Sequence, residues 1–499
     1  MKALGEGLKS PRQWVLEARR EPPPSNLEEY LRHWETFFDH YARRVDRWHE
    51  QNAGYHKAVA SIARFYVPTG ARVLEIGSGN GDLLAALAPS CGVGTDISGQ
   101  MVGLARSKYP DLVFHHMPAE RLDLLGETFD YVVLSDLLGY LYDIREVLER
   151  VRSVCHARTR IVMHVYSRLW QPVLRLAELL GMKYPQPILN WTTPDDIRNL
   201  LHLAGFELVQ QRPHILLPKR VPLVTRLVNR FLAHLPLLEA FCLTSWTVAR
   251  PLGIEALPRA PRVSVVCPCR NESGNLEAVV RRLPRLGAST ELIFVEGHST
   301  DRTLQECERV RDQMPDREIR VLKQKGTGKG DAVREGFAQA TGDVLVILDA
   351  DLSVAPEDLP QFVDALVRGR GEMVNGSRLV YGMDPEAMRF LNLLGNRFFA
   401  LALRWMLGQP VRDTLCGTKV LLRSDYERIA AGRAYFGEFD PFGDFDLLFG
   451  AAKLNLRIVD VPVRYHQRVY GQTNIQRFRH GFMLLRMTFF AAARLFFIA

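Results

Sequence analysis

Two apolar runs, each ending in a pattern that only a strand–turn–helix crossing accommodates, constrain this chain more than any other feature. The first is Val73-Leu74-Glu75-Ile76-Gly77-Ser78-Gly79-Asn80-Gly81 and the second Val344-Leu345-Val346-Ile347-Leu348-Asp349-Ala350-Asp351. An apolar run of this length reads as a buried strand, and alternate glycines then turn the chain into a helix. The second strand instead delivers two carboxylates at its end, where open α/β sheets bind their ligands. Two such strand ends in 499 residues imply two α/β domains, each large enough for its own core.

Hydrophobic content of 47% and charged content of 24% fit a globular chain and argue against long disorder. A net charge of +8 points to an anionic partner without naming it. No clustered basic run or recognition motif accompanies it, so nucleic acid is not the expected partner. The seven cysteines are scattered, and Cys267-Pro268-Cys269 has no second pair at zinc-site spacing, which predicts reduced structural thiols. The first residues, Met1 to Glu6, lack the apolar core of a signal peptide. No stretch approaches the roughly 18 apolar residues of a spanning helix. A cytoplasmic protein, peripheral at the inner face of the cell membrane, is the expectation.

Residues 1–52 read as a charged helical lead broken by Pro22-Pro23-Pro24, and 53–250 as a first domain of alternating strands and helices. The strands expected there are Arg72–Ile76, Gly92–Asp96, Leu112–His115, Tyr131–Ser135, Arg160–Val165, Phe206–Gln211 and Thr244–Ala249, mostly parallel in a doubly wound sheet. A proline-punctuated linker, 251–262, precedes a second alternation over 263–476. Its strands are expected at Val263–Cys267, Glu291–Glu296, Ile319–Gln324 and Asp343–Leu348, with a longer and more helical pattern after Asp351. Residues 477–499 form a basic, phenylalanine-rich tail.

The glycines at 77, 79 and 81 do not follow the dinucleotide spacing. With Glu75 before them, the loop resembles the first motif of class I S-adenosylmethionine methyltransferases, a likeness that spans roughly residues 55–250. The resemblance implies S-adenosylmethionine as cofactor. Gly77, Gly79 and Gly81 let the backbone approach it and Glu75 helps hold its ammonium. Asp96 would take the ribose hydroxyls, Ala119 and Glu120 would lie beside the adenine, and Ser135 and Asp136 would flank the sulfonium. Pro118 stands where the family often has an acid, and no residue is singled out as the methyl-transfer base.

Val265-Val266-Cys267-Pro268-Cys269-Arg270-Asn271-Glu272, Phe294-Val295-Glu296-Gly297-His298-Ser299-Thr300-Asp301 and Asp349-Ala350-Asp351 together resemble glycosyltransferase family 2. That likeness implies a GT-A fold from about Val263 to Asn474. Its nearest branch is that of polyprenyl-phosphate sugar synthases such as dolichyl-phosphate mannose synthase. Asp349 and Asp351 would bind Mg²⁺ or Mn²⁺ across the diphosphate of a UDP- or GDP-sugar. Pro268, Glu272, Glu296 and Asp301 would line the nucleotide pocket, and Lys329 would touch the donor from a glycine-rich turn. That turn, Gly326-Thr327-Gly328-Lys329-Gly330-Asp331, lacks the residues of a P-loop. Arg378, Arg389 and Arg468 match basic positions of the polyprenyl branch, and Asp446 stands where a hydroxyl acceptor would need a base. A lipid phosphate is already anionic and needs cations rather than a base.

Pro218–Phe241 and Arg477–Ala499 mix leucine and phenylalanine with arginine. The tail reads as an interfacial helix at an anionic membrane surface; for Pro218–Phe241 that reading and a core helix stand level. The sequence thus predicts a methyltransferase fused to a metal-dependent inverting sugar transferase acting on a polyprenyl phosphate. The alternatives are a glycan acceptor with Asp446 as base, and a first domain that holds its cofactor as a scaffold without turnover.

Overall fold

In the computed structural model, residues 24–187, 189–254, 257–258, 260–381, 390–435, 443–468, 470 and 477–497 are described. The chain divides into two compact units, one ending at Ile254 and one at Phe496, with the last residues from Phe497 grouped with the first.

The first unit is built on β1 (Arg72–Ile76), β2 (Cys91–Asp96), β3 (Val113–His116), β4 (Phe129–Ser135), β5 (Cys155–Tyr166), β6 (Phe206–His214) and β7 (Thr244–Pro251). They form one sheet in the order β3-β2-β1-β4-β5-β7-β6. Strands β1 to β5 are parallel, and β7 runs antiparallel to both β5 and β6, so the sheet is mixed at its far edge. Successive residues of β1 enter different cores: Leu74 and Ile76 pack with Val132 and Leu134 on one face, Val73 with Tyr131 and Val133 on the other. A strand covered on both faces reads as a nearly continuous apolar run, which in β1 is interrupted only by the buried Glu75 after Val73 and Leu74.

The second unit holds β8 (Arg262–Cys269), β9 (Ser289–Glu296), β10 (Glu318–Lys323), β11 (Val344–Ile347), β12 (Met373–Ser377), β13 (Lys419–Leu422) and β14 (Ile458–Pro462). Their order is β10-β9-β8-β11-β13-β12-β14, with β13 antiparallel to β11 and β12. The longer and more helical pattern expected after Asp351 is present in the helices Leu359–Val367, Phe390–Leu407, Arg423–Ala431, Asp444–Lys453 and Arg477–Ala491, and among them lie the three short strands β12 to β14. Their polar residues are satisfied inside the sheet. Asn375 Nδ2 donates to the Asp413 carbonyl and to Asp460 Oδ1, both at 2.8 Å, and the wholly buried Lys419 donates to the Cys416 carbonyl at 2.5 Å.

Both sheets reverse direction once. From β1 the chain winds outward through β2 and β3, then returns to the other side with β4; from β8 it winds through β9 and β10 and returns with β11. Loops leaving neighbouring strands in opposite directions open a crevice at their carboxyl ends. Glu75, Asp96 and Ser135 lie at or near the ends of the strands at the first crevice, and Pro268, Glu296 and Asp349 at or near those at the second.

At the end of β12, Arg378 closes a fork on Asp413, with Nε–Oδ2 at 2.7 Å and Nη2–Oδ1 at 3.0 Å, and Asn396 adds a bond at 3.0 Å. Burial raises the Asp413 carboxyl, but the guanidinium outweighs it and holds the group down at about 2. Removing one partner of a buried pair strands the other. Asp413→Ala should therefore cost the second unit about 3–5 kcal/mol in denaturant unfolding. Because the folded pKa is depressed, the wild-type contribution is complete above the usual carboxylate range and fades as pH falls toward about 2. An unchanged unfolding midpoint in the variant would contradict this role.

Candidate functional sites

In the first crevice, three glycines carry the backbone where side chains fit poorly: φ is +72° at Gly77, +52° at Gly79 and +79° at Gly81. The Gly77 and Ser78 N–H groups donate to the Thr95 carbonyl at 2.7 and 2.9 Å, clamping the loop to β2. Asp96 then accepts from Gly79 N–H at 2.8 Å and from Ser98 N–H at 2.9 Å. A Cβ on Gly79 would meet no protein atom within 4 Å, so the loop is open on the cavity side.

That cavity has a volume of about 910 Å³ and is lined by Glu75, Gly77, Gly79, Asp96, Ala119, Glu120, Ser135 and Asp136. Gly81 is the one residue of the expected set that stands back from it, capping the helix Asp82–Ala86. Three carboxylates, Glu75 and Asp96 buried and Asp136 half-buried, face the same space. Burial pushes Glu75 well above its usual range, Asp96 up to about 6 despite its two N–H donors, and Asp136 up to about 7 despite nearby Lys183 and a bond from Tyr166. Glu75 Oε2 is buried with no hydrogen-bond partner among the described residues. A buried oxygen of this kind calls for a donor from a ligand. The cavity therefore favours a cationic guest with hydroxyls or an ammonium to donate.

One wall lies outside what the motifs indicate. The helix Leu27–Ala42 brings Trp34, Phe37, Phe38 and Tyr41 to the cavity, and its Asp39 accepts from Ser98 Oγ at 2.5 Å and Gln100 N–H at 3.1 Å. The charged lead is thus part of the pocket. The signal was in the sequence as an aromatic stripe at helical spacing, 34, 37, 38 and 41. Tyr55, Tyr140 and Tyr166 complete an aromatic lining, all with phenols pushed up by burial.

In the second crevice, two ion pairs stand side by side in the sequence of the acidic motif. Lys329 Nζ lies 2.6 Å from Asp349 Oδ1, and Arg468 Nη2 lies 2.6 Å from Asp351 Oδ2. Arg468 Nη1 also approaches Glu272 at 3.7 Å. Burial raises Asp349, but the Lys329 ammonium outweighs it and holds the carboxyl low. Glu272 is pushed up to about 7, by burial first and then by the charges of Asp351 and Asp349, against a bond from Asn275.

The rest of the crevice is locked from behind. Glu296 accepts from Ser299 N–H at 2.5 Å; Asp301 accepts from Thr303 N–H at 2.9 Å and Ser273 Oγ at 2.9 Å. Ser273 Oγ in turn meets Tyr470 OH at 3.2 Å, and His466 N–H donates to the Ser353 carbonyl at 3.0 Å. These bonds bring the 466–470 segment onto the acidic loop, which is how Arg468 reaches it. Pro268 is the last residue but one of β8.

Two other expected residues hold structural partners. Arg378 has its fork on Asp413, and Asp446 is buried on the helix Asp444–Lys453 with Arg433 Nε donating to it at 2.8 Å. Arg389 lies outside the described residues. Among those residues no group of three or more His, Cys, Asp or Glu side chains is placed to share a metal ion. Two carboxylates converge with cations instead, an oxygen donor set that suits a hard divalent ion sharing ligands with phosphate and water.

Gly417 packs against the Lys329–Asp349 pair so closely that a Cβ there would collide with both the carboxylate and the ammonium. Gly417→Ala should force the pair apart and cost about 1–3 kcal/mol of stability by overpacking. Thermal unfolding indistinguishable from wild type would show that the pair has room to yield.

Residues 264–429 match the family described as "Glycosyl transferase family 2", and residues 38–211 match a "Methyltransferase domain". Over 236 residues the chain is 29% identical to a dolichol-phosphate mannosyltransferase of Pyrococcus furiosus, covering 45% of this chain and 64% of that protein. It is 30% identical over 221 residues to an undecaprenyl-phosphate 4-deoxy-4-formamido-L-arabinose transferase of Pseudomonas aeruginosa, covering 44% of this chain and 61% of the other. The chain thus spans under two thirds of the length of both relatives. A putative methyltransferase solved with its Trm112 activator from Haloferax volcanii aligns at 21% identity and TM-score 0.34, over 43% of this chain and 97% of its own. The chain thus carries one region that matches a methyltransferase domain, residues 38–211, and one that matches glycosyl transferase family 2, residues 264–429.

Proposed function

We propose that the second unit, a GT-A domain in this reading, moves a sugar from a nucleotide-sugar to a polyprenyl phosphate, while the first transfers a methyl group from S-adenosylmethionine. The observation that carries the first half is the double pairing of Asp349 with Lys329 and Asp351 with Arg468 at the reversal of the sheet. Asp349 and Asp351 would hold Mg²⁺ or Mn²⁺, which supplies positive charge to the departing diphosphate. Lys329 and Arg468 are then placed to take phosphate oxygens, while Pro268, Glu272, Glu296 and Asp301 shape the nucleoside end of the pocket. In the reaction, the acceptor phosphate oxygen bonds to the anomeric carbon as the bond from that carbon to the diphosphate breaks, with inversion.

A phosphate acceptor needs no general base, and this agrees with Asp446, whose carboxylate is committed to Arg433. The printed names of the two relatives, a dolichol-phosphate and an undecaprenyl-phosphate transferase, support the same acceptor class. So does the surface of the second unit. The helix Arg477–Ala491 lies against the helix Phe390–Leu407, and the pair leaves Phe398, Leu401, Phe482 and Phe489 exposed. No described helix is long and apolar enough to cross a membrane, so this face would rest on the inner leaflet. UDP or GDP remains the donor class.

For the first unit, the three carboxylates and the open glycine loop support a sulfonium cofactor whose ammonium meets Glu75 and whose ribose meets Asp96. Gly77, Gly79 and Gly81 let the backbone approach, Ala119 and Glu120 border the adenine, and Ser135 with Asp136 flanks the reacting methyl.

Asp351→Asn preserves shape and removes one charge from the metal set. Sugar transfer to undecaprenyl phosphate should fall about a thousandfold, equivalent to about 4 kcal/mol of leaving-group stabilisation. EDTA should have the same effect on the wild type, and added Mg²⁺ or Mn²⁺ should restore only the wild type. Full transfer in EDTA would remove the metal and the role given to both aspartates.

A further inference from the structure

Two apolar segments border the cavity of the first unit and turn their other faces outward. One is the turn Arg168–Trp170 with the helix Gln171–Leu179. Val173, Leu174 and Ala177 line the cavity, while Leu169, Leu176, Leu179 and Leu180 are exposed. A helix that is apolar on both faces has only one of them accounted for by its own domain. The other segment follows β6. Leu217 and Pro218 line the same cavity, and beyond them Leu223 and Leu237 are 89% and 86% exposed, with Val224 and Leu227 beside them.

The two segments are tied to each other. Trp170 Nε1 donates to the Phe241 carbonyl at 2.7 Å, and Ser167 N–H to the Leu243 carbonyl at 2.7 Å. Nor does the second segment display its leucines through looseness. Buried Asn229 accepts from Leu217 N–H at 2.8 Å and donates to the Leu217 carbonyl at 2.9 Å. Thr225 Oγ1 accepts from Val221 N–H at 2.8 Å and donates to the Lys219 carbonyl at 2.7 Å. At the tip, Leu223 is held at φ +63°, a left-handed conformation that disfavours a branched side chain. Strain and an exposed leucine both oppose folding in water, so their reward lies in another phase.

Charge selects that phase. From 217 to 241 the chain carries Lys219, Arg220, Arg226 and Arg230 against the single carboxylate of Glu239, and the first segment carries Arg168 and Arg175, its one carboxylate, Glu178, being paired with Lys183. Leucines at a tip with cations around them suit insertion among lipid tails beneath anionic headgroups. We infer that this face of the first unit seats on an anionic bilayer, and that the methyl acceptor is an amphiphile entering the cavity from the lipid surface between the two segments. The acceptor half rests on the S-adenosylmethionine reading given above. In the step, an acceptor oxygen or nitrogen bonds to the methyl carbon as the S–CH₃ bond breaks. The electron pair stays on sulfur, giving neutral S-adenosylhomocysteine, and the acceptor's proton leaves to a base or water.

The test uses the full chain with Cys91→Ser, the other six cysteines being buried. Leu176→Cys, Leu223→Cys and, as an exposed control away from both segments, Leu124→Cys are each labelled with an environment-sensitive fluorophore. Vesicles of equal parts phosphatidylcholine and phosphatidylglycerol carry doxyl-labelled lipid. The labels at 176 and 223 should brighten about twofold or more in anionic vesicles and be quenched by doxyl, and the label at 124 should do neither. If the protein sediments with vesicles while 176 and 223 stay unquenched, the bilayer contact lies elsewhere and a protein partner or second copy covers this face. In parallel, methyl-tritiated S-adenosylmethionine is supplied with lipid and aqueous extracts of the native cells. Label in the organic phase is expected; label in the aqueous phase alone, or in neither, overturns the amphiphilic acceptor. Calorimetric titration with S-adenosylmethionine separates that failure from failure of the cofactor reading, which alone would abolish binding.

Discussion

A carboxylate at the buried end of a parallel strand must be compensated, and the two halves of this chain do so with opposite sign. In the first unit Glu75, Asp96 and Asp136 face one cavity with few cations around them, and burial lifts all three. In the second, Asp349 and Asp351 are each matched by a cation, from the turn before a helix and from the 466–470 segment. In the function proposed above, the first arrangement would meet a cationic ligand and the second would exchange partners with a metal and a diphosphate. Topology supplies the place for both, since each sheet reverses direction there. Sequence supplies the difference.

The strands that carry the sites were legible because they are covered on both faces. Val344–Leu348 reads as an unbroken apolar run for that reason, and Val73–Ile76 as one interrupted only by the buried Glu75. The strands β12 to β14 were not, because Met373-Val-Asn-Gly-Ser, Lys419 and Asp460 break any apolar pattern. Their polarity is answered by partners distant in sequence, such as Asp413 and Asp460 for Asn375, and periodicity carries no trace of such pairings. The site residues divide the same way. Glycines and carboxylates near strand ends were singled out by the likeness of their motifs to known families. The role of Arg378 as a partner of Asp413, and of Asp446 as a partner of Arg433, depended on elements brought together only by folding. The lead helix escaped notice as a pocket wall because its charges mask an aromatic stripe.

Both units also expose apolar surface in a form that water does not favour. On the second, two helices packed on each other present Phe398, Leu401, Phe482 and Phe489. On the first, a strained leucine and an outward helix face border the cavity itself. Arginine and lysine accompany these leucines and phenylalanines, so attraction to an anionic surface and apolar burial would act together.

The most direct measurement is mass spectrometry of the lipid product formed by the full chain from undecaprenyl phosphate and nucleotide-sugars, with and without S-adenosylmethionine. Without it, the account predicts a polyprenyl phosphate heavier by one sugar residue. With it, the same lipid should gain the mass of one methyl group. Unchanged undecaprenyl phosphate under both conditions, with the donor consumed onto a different acceptor, would contradict the account at its centre.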